Sequence, residues 1–239
     1  YKLNRIPICW RNSKIKLIPK DDSKGTCLNW RPISLLNTEY KIFTDIINTN
    51  LNSIILENNL DPEEQNGFKN HHNTGMCIRT LITILLDSNL FNKEIHLLFI
   101  DFFKAFDSVE HWVIETILNH INLKNHSKLI STLLKENNIK IYTDVGVTET
   151  IYPSSGVKQG DILSPTLFRL FIAPLIWKLK SSNKGYKIND LQIENLAFAD
   201  DLILISNNSK NIKKLLKICS KYCKITGIKI NEKKSAYTT

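Results

Sequence analysis

The sequence predicts an α+β fold, on three observations. Residues 196–198 and 202–205 are short apolar runs flanking a tight polar point, the pattern of two buried strands joined in a hairpin. Residues 97–100 form a continuous apolar run, as in a central strand buried on both faces. Residues 39–60 and 209–226 instead repeat apolar side chains at helical spacing. The chain has 239 residues, 42% of them hydrophobic, which is enough for one large core or two smaller lobes.

Charge and cysteine content narrow the class. Lys and Arg outnumber Asp and Glu by 32 to 23, a net charge of +9. That surplus suits a polyanionic partner better than a membrane, since no apolar stretch is long enough to span a bilayer. The five cysteines, Cys9, Cys27, Cys77, Cys219 and Cys223, are odd in number and lack a C-x-x-C pair. They read as reduced thiols of an intracellular protein, with Cys219 and Cys223 four apart on a helix as core residues. The chain begins at Tyr1 without a methionine and reads as a segment of a longer protein.

Taken in order, residues 12–20 alternate polar and apolar and stop at Pro19, as an edge strand does. A polar loop with Gly25 at its tip then runs to Trp30-Arg31-Pro32, placing Lys20 and Arg31 at its two ends. Two cations held this way suit a phosphate chain, Arg by its fork and Lys as a point charge, although exposed cations are usually just solvated. Residues 39–60 form a helix, Gln65-Asn66-Gly67-Phe68 a turn, and residues 75–90 a second helix.

The strand at 97–100 ends on Asp101. Asp107-Ser-Val-Glu110 has the form of a capping box, which assigns Asp107 to the helix start and leaves Asp101 for chemistry. Residues 139–151 read as a hairpin turning at Asp144-Val-Gly146. Gly156 and Gly160 allow close backbone approach around Gln159, and Ser164-Pro165 opens a helix. After the Asp200-Asp201 hairpin, residues 209–226 place Ile212, Leu215, Leu216, Cys219 and Tyr222 inward and six lysines outward, with Gly227 as the left-handed cap. A short strand and a basic turn close the chain.

Adjacent carboxylates at the tip of a buried strand pair repel each other and resist desolvation. A divalent cation removes that penalty, and hard oxygen donors suit Mg²⁺. Alone, an Asp-Asp pair equally suits a turn.

The blocks L-I-P-K, N-W-R-P-I-S-L-L-N, Q-N-G-F, F-I-D-F-F-K-A-F-D-S-V, G-V-K-Q-G-D-I-L-S-P, A-F-A-D-D and G-I-K-I-N-E-K-K-S stand in a fixed order from Ser13 to Ser235. Together they resemble the reverse transcriptase family, and the wording is most similar to its non-LTR (LINE-type) retrotransposon branch. The resemblance implies a right-hand polymerase, α+β, with an antiparallel palm sheet backed by helices. It implies fingers over residues 1–96 and 124–150 and palm over 97–123 and 151–239, with thumb and accessory domains outside the chain.

The implied activity is RNA-directed DNA polymerisation on an RNA template, from a DNA primer, with deoxynucleoside triphosphates. Asp101 and Asp200 would be the main ligands of two Mg²⁺ ions (Mn²⁺ a substitute), with Asp201 and the Phe102 carbonyl beside them. Lys20 and Arg31 would face the triphosphate, Phe106 the sugar, and Gln159-Gly160 the nascent pair. Lys234, or adjacent Lys233, would donate a proton to pyrophosphate. Ile162 stands where family members often carry Pro. The implied site of action is intracellular, and nuclear in a eukaryote.

Among rivals, a group II intron reverse transcriptase usually has Tyr at the position of Phe198. An RNA-dependent RNA polymerase would not place a bulky ring at Phe106. A non-catalytic RNA-binding scaffold would be free to lose the three carboxylates, all of which are present.

Overall fold

The computed structural model describes residues 6–20 and 29–239. Gly25 and Cys27 lie outside the described residues. By internal packing the chain forms two units, residues 1–54 with 109–167, and residues 55–108 with 168–239.

The first unit is built on a four-stranded sheet, order β2-β1-β4-β5, from β1 (Asn12–Pro19), β2 (Trp30–Leu35), β4 (Asn138–Thr143) and β5 (Gly146–Val147). β1 is not the edge strand its proline suggests: it pairs antiparallel with β2 and parallel with β4. Pairing with β4 runs only from Asn12 to Lys16, so the missing N–H of Pro19 falls beyond that ladder. Pro32, by contrast, sits on the edge strand β2. The expected hairpin at 144–146 is present, closed by Thr143 opposite Gly146. Helices α3 (His111–His120) and α4 (Lys124–Lys135) pack together and bury Ile114, Leu118, Ile130 and Leu133. The expected capping box does not form. Residues Phe106–Ser108 make a 3-10 turn, and Glu110, extended at φ −71°, bridges to Ser155, so α3 starts only at His111. A tertiary pairing thus overrides the local cap signal.

The second unit carries an antiparallel sheet, order β10-β3-β9-β8, from β3 (His96–Ile100), β8 (Asn195–Phe198), β9 (Asp201–Ser206) and β10 (Ala236–Thr238). β3 is central, as its unbroken apolar run predicts. Leu97, Leu196 and Ile205 share a buried cluster with Ile84 of α2 (Thr74–Leu90) and Tyr186. The alternate residues Ile100, Leu202 and Leu204 are buried too, because α6 (Ser209–Thr226) packs on β3 and β9. A sheet covered on both faces needs apolar side chains at consecutive positions. α6 matches its expected limits: Asn208 accepts from the Asn211 N–H at its start, and Gly227 closes it at φ +80°. A small ribbon of β6 (Tyr186–Ile188) and β7 (Leu191–Ile193) completes the unit. The closing strand lies later than its sequence suggests, since residue 230 forms only a bridge to Phe102 and the strand is β10. The chain passes from one unit to the other within α1 (Thr38–Glu57), between Ser108 and Val109, and within α5 (Ser164–Lys180). Among the described residues no helix is long and apolar enough to cross a membrane.

Candidate active site

Strand register gathers the acidic residues. Ile100 pairs with Leu202 and Phe198 with Asp201, so Asp101, one step beyond β3, emerges at the sheet end where Asp201 begins β9. Asp200 occupies the two-residue turn between β8 and β9. Ala199, which precedes it, has φ +56°, a left-handed conformation that a primed hairpin turn demands and a Cβ resists. Burial pushes the Asp201 carboxyl up, and repulsion from Asp200 and then Asp101 adds to the rise, while Lys234 pulls it back down. Asp201 therefore feels three other sequence-predicted residues at one sheet end.

The closing segment is what holds Asp101. Its carbonyl accepts from the Asn231 N–H at 2.8 Å, and its Oδ2 accepts from Asn231 Nδ2 at 2.8 Å. Its own N–H donates to Ser235 Oγ at 3.3 Å. Phe102 is buried and bridges to Ile230. Asn231 escaped the sequence reading, because its partner lies 130 residues away. The only trace was its place in the G-I-K-I-N-E-K-K-S block.

The donor set suits a hard divalent cation: carboxylate oxygens whose mutual repulsion a cation would relieve. As the side chains stand, no three His, Cys, Asp or Glu among the described residues are gathered closely enough to hold a metal.

Phe106 is partly buried, its ring stacked on Phe168 at 4.9 Å and 7° and meeting Phe68 edge-on at 5.8 Å and 81°. Phe68 takes φ +60°, and its carbonyl accepts from Arg169 Nη1 at 2.7 Å. Arg169 also pairs with the largely covered Asp61 at 2.9 Å. Burial pushes the Asp61 carboxyl up against the opposing pull of Arg169 and Lys69.

The other expected site residues belong to the first unit. Lys20 directly follows β1, its N–H donating to the Asn29 carbonyl, and Arg31 of β2 pairs with Ile18 of β1. Further along β2, the Ser34 N–H donates to the Gln159 carbonyl at 2.7 Å. Gly160 lies against the same residue at φ +116°, where a Cβ would come within 2.7 Å of the Ser34 carbonyl oxygen. Glycine is required there on both counts.

Flanking Gln159-Gly160 is a buried network the sequence did not reveal. Lys158 Nζ donates to the Tyr40 hydroxyl at 3.0 Å and lies 4.2 Å from the centre of its ring. The Tyr40 hydroxyl donates to Asp161 Oδ2 at 2.9 Å, and Asp161 Oδ1 accepts from the Leu163 N–H where α5 begins. Burial lowers the Lys158 ammonium to about 8, against the opposing pull of Asp161.

Comparison with known proteins identifies the family and the fold. The chain is 30% identical over 233 residues to the retrovirus-related Pol polyprotein of the type-1 retrotransposable element R2 of Popillia japonica, covering 96% of this chain and 32% of that protein. It is 26% identical to the transposon TX1 149 kDa protein of Xenopus laevis, over 99% of this chain and 18% of that one. The chain thus spans a third or less of the length of these relatives. Among solved structures, apo telomerase from Candida tropicalis superposes with a TM-score of 0.70 over 99% of this chain and 51% of that one, at 14% identity. A second telomerase, from Candida albicans in complex with the TWJ fragment of telomeric RNA, reaches 0.68 over 96% of this chain and 43% of that one, at 13% identity. The fold is therefore that of a polymerase of this kind, and the relatives are those of the expected retrotransposon branch. The family model described as reverse transcriptase (RNA-dependent DNA polymerase) matches residues 18–239, and the chain belongs to that family.

Proposed function

We propose that this chain carries the polymerase centre of a non-LTR retrotransposon reverse transcriptase, extending a DNA primer on an RNA template with deoxynucleoside triphosphates. The observation that carries the reading is the convergence of Asp101, Asp200 and Asp201 at one end of an antiparallel sheet, with Lys234 in electrostatic reach. Reverse transcriptases generally use divalent metals. Here Asp101 and Asp200 would hold two Mg²⁺ ions (Mn²⁺ substituting), helped by Asp201 and the Phe102 carbonyl. Such ions supply Lewis acidity that favours ionisation of the primer 3′-hydroxyl and offsets charge on the leaving pyrophosphate.

The chain's own residues would do the rest. Lys20 and Arg31 neutralise the incoming triphosphate, the Arg fork by paired hydrogen bonds and the Lys as a point charge. Gln159 and Gly160 border the nascent pair, where a side chain at position 160 would not fit against Ser34. The Phe106 ring occupies the space of a ribose 2′-hydroxyl. Lys234, favoured over Lys233 by its coupling to Asp201, delivers a proton to pyrophosphate. The six outward lysines of α6 and the net charge of +9 supply attraction for RNA and DNA. We assign fingers to residues 1–96 and 124–150 and palm to 97–123 and 151–239. We place the activity inside the cell, and in the nucleus of a eukaryote.

Primer extension tests this reading, with a DNA primer on an RNA template, Mg²⁺ and deoxynucleotides. The expected result is template-dependent extension whose template–primer affinity falls steeply with salt, with a log–log slope near −0.9 per duplex phosphate contact. Substituting Lys20 or Arg31 should raise the nucleotide KM. No extension by the wild-type chain in its full-length parent contradicts the proposal.

A further inference from the structure

We propose that Gln65 is a positioning residue for the carboxylate hairpin, setting the turn that aims Asp200. The inference rests on the polymerase reading for its function, but its geometry is independent of it.

β8 is an edge strand of its sheet, and residues 64–66 pair along its open side. Gln65 forms a parallel bridge to Ala197; the Ala197 N–H donates to the Glu64 carbonyl at 2.9 Å, and the Asn66 N–H to the Ala197 carbonyl at 2.8 Å. From this rail the Gln65 side chain reaches past the strand end. Its Oε1 accepts from the Ala199 N–H at 2.9 Å and from the Gly67 N–H at 2.7 Å, while Nε2 donates to the Ala199 carbonyl at 3.0 Å. Two donors on one side and a carbonyl on the other fix the orientation of the amide. The side chain is wholly buried.

The target of this clamp is unusual. Ala199 has φ +56°, a conformation costly for an alanine, and it directly precedes Asp200. Strained backbone persists only where its surroundings over-determine it. Gln65 secures both peptide groups of Ala199, and Gly67 leaves room for them: a Cβ at position 67 would lie 2.1 Å from the Ala199 nitrogen. The Q-N-G-F block, which reads as a plain turn in the sequence, is thus a brace on the turn bearing one of the principal carboxylates.

The test uses Gln65→Met, which keeps the volume and removes the amide, and Gln65→Asn, which keeps the amide but shortens its reach. Both are made in the full chain and checked for folding by thermal melts. Mn²⁺ binding is measured by electron paramagnetic resonance, with Asp200→Asn as reference, beside primer extension. Misplacing Asp200 should lower kcat roughly 10- to 100-fold with the nucleotide KM little changed. It should also weaken Mn²⁺ binding roughly 10-fold. Variants that melt earlier yet keep wild-type Mn²⁺ affinity and kcat overturn the proposal and leave Gln65 a packing residue. A wild-type chain that binds Mn²⁺ through Asp200 but extends nothing overturns the polymerase reading instead, and the Mn²⁺ comparison alone then decides the role of Gln65.

Discussion

Removing the ring of Phe106 should let ribonucleotides into the site, and the structure sets the scale of the effect. The ring is pinned by two neighbours, stacked on Phe168 at 4.9 Å and edge-on to Phe68 at 5.8 Å. On the proposed reading, a ribose 2′-hydroxyl would enter only by displacing it. Each aromatic pair contributes about 0.5–1.5 kcal/mol beyond burial, so moving the ring out of both costs about 1–3 kcal/mol. That corresponds to roughly 5- to 150-fold discrimination. Phe106→Val should therefore raise relative ribonucleotide use by a factor in that range, with a smaller loss in deoxynucleotide use. Phe168→Leu, which removes only the stacked partner, should relax selection part of the way. The assay is kcat/KM for matched ribo- and deoxynucleotides on one RNA template. A ratio unchanged in Phe106→Val would make the ring ordinary packing and refute the reasoning.

Three other substitutions probe the supports. Asn231→Ala removes a hydrogen bond to the Asp101 carboxylate, worth about 1.5–3 kcal/mol for a charged acceptor, and should slow extension roughly 10-fold or more without unfolding the chain. Arg169→Met removes one of the two cations paired with Asp61, leaving Lys69 at 3.5 Å, and should destabilise by about 1.5–3 kcal/mol, read from urea midpoints; a loss below about 0.5 kcal/mol would contradict the pairing. Lys158 tests pH linkage. Its ammonium is held at about 8 against an ordinary 10.5, so below pH 8 it is charged both folded and unfolded and the burial penalty is at its full value. As pH rises through 8 the folded form releases its proton first, and stability rises by up to about 1.4 kcal/mol per pH unit. Urea midpoints between pH 7.5 and 9.5 should rise for wild type relative to Lys158→Met, and parallel curves would contradict the buried charge.

The parts legible in the sequence are those that local pattern determines. β3, the β8–β9 hairpin and α6 announce themselves because each buries apolar residues at its own period and ends on a distinctive residue: Asp101, Asp200, Gly227. What escaped depends on distant partners. Pro19 marks a strand end correctly, but nothing nearby says that β4, more than a hundred residues on, makes β1 internal. Asp107 and Glu110 have the right spacing for a capping box, and the pairing of Glu110 with Ser155 wins over it. Helical spacing located α1 and α2 without telling which stripe is covered, and Ile42, Ile46, Ile78 and Ile82 remain exposed. In the site, the carboxylates were readable as charges that apolar strand tips do not otherwise carry. Gln65, Asn231 and the Tyr40–Lys158–Asp161 network were not, since an amide or a tyrosine looks the same in sequence whether it braces an active site or meets solvent.

The most direct test of the central claim, that Asp101 and Asp200 act as one ligand set, is the extension rate of Asp101→Asn, Asp200→Asn and the double variant in Mg²⁺. Groups that work as a unit are strongly non-additive. Each single substitution should abolish extension, on the order of 10³-fold or more, with the fold and template binding retained, and the double variant should be no slower than either. Near-normal extension by Asp200→Asn, or losses that multiply in the double variant, would contradict the account.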